Sequence, residues 1–162
     1  MGKWSPMRQQ LIFIDRTGED MPNAGLFWDR IIEGCEIPTL IKKPTYTQLF
    51  MFSAITWNRH LIHYNAEYAR RDGLPDVAVH RGLIGNYLAQ LLSDWVGADG
   101  KVTKIQWNVR ATAVPGDTLA VKGRVLKKWI EGKNKLVECE IRVEKEGADI
   151  IAPGRGEVII FS

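Results

Sequence analysis

Four segments in the C-terminal half do most to limit what this chain can become. KVTKIQWNVRATAV (101–114), DTLAVKGRVLKKWI (117–130), KLVECEIRVEKEG (135–147) and DIIAPGRGEVIIF (149–161) are rich in β-branched and apolar residues. Turn signals at Pro115-Gly116-Asp117, Gly132-Lys133-Asn134 and Glu146-Gly147-Ala148 separate them, as in an antiparallel sheet. In the third, Leu136, Glu138, Glu140, Arg142 and Glu144 alternate with Val137, Cys139, Ile141 and Val143. One face of the sheet is therefore solvated and the other needs an apolar cover.

The cover lies directly upstream. In RGLIGNYLAQLLSDWV (81–96), Leu83, Ile84, Tyr87, Leu88, Leu91, Leu92 and Trp95 recur at spacings of three and four, which predicts a largely enclosed helix. Before it, residues 62–72 read as a short helix with Asn65 as cap and Gly73 as stop. QLFMFSAIT (48–56) reads as a strand buried on both faces. Residues 27–38 suggest a short helical turn closed by Gly34, after which PTLIKKPTYTQ straightens. The expected architecture is α+β, an antiparallel sheet wrapped around a long helix, although a two-layer sandwich with its helices to one side gives the same pattern. Residues 1–25 read as an N-terminal arm and 26–162 as one domain.

Charge and composition narrow the function. The net charge is +3, with no run of basic residues longer than a pair, so no nucleic-acid arm is expected. A mildly basic surface still favours anionic small molecules. Cys35 and Cys139 are far apart and outside any CxxC unit, which suits reduced thiols. No apolar run approaches the ~18 residues of a membrane span, and MGKWSPMRQQ lacks a signal core. A cytoplasmic protein with no membrane partner is the expectation.

His60, His63 and His80 are the only histidines, and all lie between the expected first strand and the long helix. They are the side chains best suited to move protons near neutral pH. Loop histidines are also common as plain surface residues, so clustering alone does not choose. A metal site would need further ligands, but no carboxylate or cysteine stands at a usual spacing and HExxH is absent. A serine nucleophile lacks its GxSxG setting, since Ser53 and Ser93 sit in apolar patterns.

The stretch FSAITWNRHLIHYNAEYARRDGLPDVAVHRGL resembles the MaoC-like hydratases and dehydratases of the hot-dog fold. Their signature runs roughly G-D-x-N-P-[IL]-H ahead of a helix beginning Y-A. WNVRATAVPGDTLAVKGRV and the closing GRGEVIIF are similar to that family too, so the resemblance covers about 27–162. Residue by residue, the family's aspartate falls on Asn58, its asparagine on His60, its proline on Leu61 and its histidine on His63. The variant is similar to a branch with T-[FW]-N-x-H-x-I-H-Y, which includes type 2 3-hydroxyacyl-thioester dehydratases and mesaconyl-CoA hydratases.

The resemblance implies reversible addition of water to a 2-enoyl thioester, giving a 3-hydroxyacyl thioester. In that reaction His63 is the acid and base, and Asn58 orients the water, because an amide can accept a hydrogen bond but cannot act as a base. Backbone N–H groups at Arg81 and Gly82, the start of the long helix, are expected to hold the thioester oxygen. The family more often carries its glycine one position earlier, where this chain has Arg81. The Arg81 side chain has three readings: a cofactor phosphate, the rim of the acyl pocket or a surface charge.

Trp57, His60, His80 and Leu83 are expected around the pocket, with Trp57 in the core or along the acyl tunnel and Tyr64 and Tyr68 mainly in the core. No cofactor is expected to stay bound, the acyl group arriving on coenzyme A or an acyl-carrier protein. A homodimer or higher oligomer is implied, or a heteromer with a second hot-dog chain. Two rivals remain: a non-catalytic subunit, which loss of the aspartate invites, and a thioesterase, for which Glu67 and Asp72 are the nearest carboxylates.

Overall fold

Alternation in the C-terminal half becomes an antiparallel sheet because each strand buries one face on the same helix. The computed structural model describes residues 28–145 and 150–161. The expected N-terminal arm and the turn at 146–148 lie outside them. A 3-10 turn at Trp28–Arg30 leads to β1 (Glu36–Lys42), α1 (Tyr46–Thr56), a second 3-10 turn (Leu61–His63), α2 (Ala66–Arg71) and α3 (Arg81–Val96). Then come β2 (Gly100–Trp107), β3 (Leu119–Glu131), β4 (Asn134–Lys145) and β5 (Ile150–Ile160). The five strands pair in the order β1-β3-β4-β5-β2, all antiparallel. This is the α+β hot-dog arrangement, a sheet curled around α3.

The inner face carries Val121, Val125, Val137, Cys139, Ile141, Val143 and Val158, packed with Leu88, Leu91 and Leu92 of α3. Close approach is built in at two sheet glycines. A Cβ on Gly156 would sit 2.3 Å from Leu92 Cδ1, and one on Gly123 would sit 3.1 Å from Leu91 Cδ2, so only glycine lets the helix settle this near the strands. On the outer face, Glu144 pairs with Lys122 and Arg142, Glu140 with Arg124, and Glu138 with Lys127 and Arg155. Leu136 is the exception to the alternation, being buried despite its place in the charged series.

The segment read as a first strand is a helix. Thr45 accepts the Gln48 N–H as its N-cap, and Trp57 ends α1 in the left-handed conformation at φ 55°, donating its N–H to the Ala54 and Ser53 carbonyls. An unbroken apolar run has no period of its own, so capping decides between helix and strand. Leu49 and Ser53, four residues apart, are buried and Phe52 packs half-buried against the core; Phe50, Met51 and Ile55 are exposed, Ile55 to 80%. The fifth strand is instead β1, which follows the turn at Gly34 (φ 87°). It lies at the sheet edge, where Pro38 falls in a register irregularity between Ile37 and Leu40, the place at which a residue without an N–H is tolerated. No helix of the described residues is long and apolar enough to cross a membrane.

Candidate functional site

The segment between α1 and α3 folds back on itself, and this brings two of the three histidines together. Asn58 donates its N–H to Ser53 O at 2.9 Å, and its side-chain oxygen accepts the His60 N–H at 3.1 Å. His60 then caps the 3-10 turn by accepting the Ile62 N–H on Nδ1 at 3.4 Å. This turn delivers His63 to the interior. The strand-like stretch before α3 lies alongside, with Ala78 N–H donating to Ile62 O and Val79 N–H to Ala113 O, both at 2.8 Å.

His63 is buried, and its Nδ1 lies 2.7 Å from the Ala78 carbonyl. A carbonyl only accepts, so Nδ1 carries the hydrogen and Nε2 presents its lone pair. Burial pushes the His63 pKa below its ordinary 6.5, the bond to Ala78 opposes this, and nearby His60 adds to the lowering. His80 stacks on His63 with ring centroids 3.7 Å apart and planes inclined by 18°. It is 1% exposed, and burial, then His63, pushes its pKa down to about 4. Its Nε2 is hydrogen bonded to Ser53 Oγ at 2.8 Å. His60 remains exposed, its ring 6.2 Å from that of His63.

His80 also precedes α3 as its N-cap residue but gives the helix no side-chain cap. The first bond of the helix runs from Ile84 N–H to His80 O at 3.0 Å, so the N–H groups of Arg81, Gly82 and Leu83 have no acceptor within the helix and mark its positive end. Leu83 is buried. A Cβ on Gly82 would only touch the Phe52 ring at 3.4 Å, so packing does not demand glycine there. The Arg81 side chain turns along the sheet edge, donates to Trp107 O at 3.1 Å and lies over the Trp107 ring at 5.2 Å. The indole Nε1–H returns a bond to Arg81 O at 3.2 Å.

Some expected residues lie elsewhere. Trp57 does not pack in the core: its left-handed position at the end of α1 turns it outward, 74% exposed, with the Arg59 guanidinium 5.8 Å from its ring. Tyr64 is likewise exposed, with its hydroxyl donating to Arg59 O, while Tyr68 is half-buried. Glu67 and Asp72 are exposed on α2 and at its end. Among the described residues no three metal-type side chains converge.

Three participants were not foreseen: Ser53 as partner of His80, the Ala78 carbonyl, and Gly85, where a Cβ would come within 2.3 Å of the Trp107 ring. Ser53, a lone hydroxyl in an apolar run, carried the one sequence signal among them.

Residues 36–114 match the model of the family described as hydroxyacyl-thioester dehydratase type 2, in accord with the resemblance read from the histidine motif. No curated protein matches the chain in sequence. Among solved structures, the R-hydratase PhaJ1 from Pseudomonas aeruginosa is 19% identical with a TM-score of 0.74, the match covering 82% of this chain and 84% of that one. The (R)-hydratase from A. caviae, involved in PHA biosynthesis, is 15% identical with a TM-score of 0.73, covering 81% and 98%. The HadBC (3R-hydroxyacyl-ACP dehydratase) complex from Mycobacterium tuberculosis gives 11% identity and a TM-score of 0.64, covering 80% and 98%. At such identities these structures establish the hot-dog fold.

Proposed function

We infer that this chain, with its central segment patterned as a type 2 hydroxyacyl-thioester dehydratase, catalyses the reversible addition of water to a 2-enoyl thioester. The observation that carries this reading is His63: a buried imidazole whose Nδ1 is committed to Ala78 O at 2.7 Å and whose Nε2 is left as a base. Burial lowers its pKa, so the ring is mostly unprotonated at neutral pH and able to accept a proton.

In the hydration direction, Nε2 of His63 removes a proton from water as the water oxygen bonds to C3 of the enoyl group. The π electrons move toward C2 and the thioester oxygen. The N–H groups of Arg81 and Gly82 stabilise the resulting enolate, each well-placed donor contributing ~3 kcal/mol. The imidazolium then returns its proton to C2, which restores the thioester and the free base. Dehydration is the reverse. Asn58 has one oxygen lone pair committed to the His60 N–H; the second lone pair and the amide N–H groups serve the water.

Coenzyme A or an acyl-carrier protein is the carrier in this reading, and no cofactor stays bound. A homo-oligomer is supported by the apolar surface of α1, where Phe50, Met51, Ile55 and adjacent Trp57 stand exposed. A second reading, a subunit that works only beside another hot-dog chain, is favoured by the missing motif aspartate at Asn58 and by the likeness to a two-chain dehydratase complex. Thioesterase chemistry has less support, since Glu67 and Asp72 face solvent.

The test is the loss of enoyl-thioester absorbance when the purified chain meets trans-2-enoyl-CoA substrates of several lengths, with His63→Ala and Asn58→Ala in parallel. Turnover by the wild type that His63→Ala abolishes supports the hydratase. Three equally inert proteins point to the subunit reading, and release of free thiol identifies a thioesterase.

A further inference from the structure

Two buried polar side chains are not used in the reaction just described, and they touch each other. Ser53 is buried on α1, and its hydroxyl meets His80 Nε2 at 2.8 Å across 27 residues of sequence. Burying an imidazole and a hydroxyl is costly unless they are bonded, and an apolar pair would fill the same space without that cost. His80 is enclosed by the Phe52 ring at 4.8 Å and the His63 ring at 3.7 Å. Its Nδ1 has no partner among the described residues.

Among the described residues the His63 ring makes one hydrogen bond, through Nδ1. One such bond leaves the ring free to swing about the line to Ala78, and that swing moves Nε2. A flat surface 3.7 Å away removes it. We propose that Ser53 and His80 are positioning residues for His63: the hydroxyl anchors the His80 ring, and the face of that ring fixes the plane of His63 so that Nε2 meets the reacting water.

The groups around the pair are Ser53 and Phe52 from α1, His60 beside His63, and Arg81, whose charge is drawn onto Trp107. No carboxylate pairs with either ring among the described residues. Two charged rings stacked this closely would repel, so His80 stays neutral when His63 takes its proton.

The positioning role rests on His63 acting as the base, whereas the coupling of the rings can be read without turnover. Each histidine Cε1–H is followed by NMR against pH in the wild type, His80→Gln, Ser53→Ala and Ser53→Thr, with near-UV circular dichroism as the check of fold. Steady-state kinetics on trans-2-enoyl-CoA accompany the titrations. In His80→Gln and Ser53→Ala the ring that covers one face of His63 is lost or loosened, which relieves part of the burial that lowers its pKa, so the His63 titration is expected to move up toward 6.5; Ser53→Thr, which keeps the hydroxyl, is expected to retain the wild-type curve. If Ser53→Thr does not fold, Ser53→Cys replaces it, with a curve between those of the wild type and Ser53→Ala expected.

In the two disruptive variants kcat is expected to fall about 10- to 100-fold, as for a misplaced catalytic group. KM should stay within about two-fold, and the acid limb of the rate profile should follow the NMR curve. An unmoved His63 titration in both variants overturns the proposal, as does an unchanged kcat. If the titrations shift but the wild type hydrates nothing, the coupling stands and the hydratase reading fails.

Discussion

The side-chain oxygen of Asn58 accepts the backbone N–H of His60 at 3.1 Å, so the residue in the motif's aspartate position also braces the loop that carries His63. Asn58→Ala therefore removes a structural bond as well as the group proposed to orient the water. It is expected to cost about 1 kcal/mol of stability, read by urea unfolding, and to lower kcat. Asn58→Asp keeps the acceptor and should retain near-wild-type stability, which separates the two roles.

His63→Ala is expected to lose 10²- to 10⁴-fold in kcat, the usual worth of a general base. It also leaves the Ala78 carbonyl without its partner, at a cost of about 1–3 kcal/mol. Thermal unfolding beside the enoyl-thioester assay distinguishes a folded, inactive variant from an unfolded one.

Stability should depend on pH through His80. Its folded pKa, about 4, lies below the ordinary 6.5, so the folded state prefers the neutral ring. Its contribution is complete above pH 6.5 and is lost as the pH falls toward 4. At about 1.4 kcal/mol per pH unit this amounts to roughly 3 kcal/mol. The Tm measured from pH 7 to pH 4 should decline over that window, and His80→Gln should flatten the decline.

Gly85→Ala places a methyl 2.3 Å from Trp107, inside the ring's van der Waals envelope. Overpacking of this kind costs about 1–3 kcal/mol. Trp107→Ala in the same chain should recover part of the loss, as measured by a double-mutant cycle in urea.

The exposed apolar side chains of α1 should be covered in solution. Light scattering coupled to size exclusion is expected to report an oligomer, and Phe50→Lys with Ile55→Lys to reduce its mass. A wild-type monomer would remove the support that α1 gives to self-assembly.

Most of the sheet and its helix could be read from residue pattern. The predicted enclosed helix has the bounds of α3, and the four C-terminal strands fall within or beside their predicted segments, because a half-buried element writes its period into the chain. QLFMFSAIT could not be read that way. Phe50, Met51 and Ile55 are exposed on a helix that buries Leu49, so much of its apolar pattern reflects what it presents outward and not the core. β1 reads only as an extended stretch because Pro38 and Thr39 interrupt its apolar pattern, and an edge strand tolerates that. The histidine motif located His63, but the contacts that shape its surroundings join residues 15 and 27 positions apart, and no local pattern encodes such pairs.

The outer face of the sheet is a lattice of alternating acids and bases, with each of Glu138, Glu140 and Glu144 flanked by cations. Each exposed pair contributes little to stability, yet together they govern how copies of this chain approach one another. Covering that lattice would strip water from many charges that already have partners, and little new attraction would reward the contact. Any association of copies is thereby expected at the apolar helical side, with the charged side opposing contact between sheets.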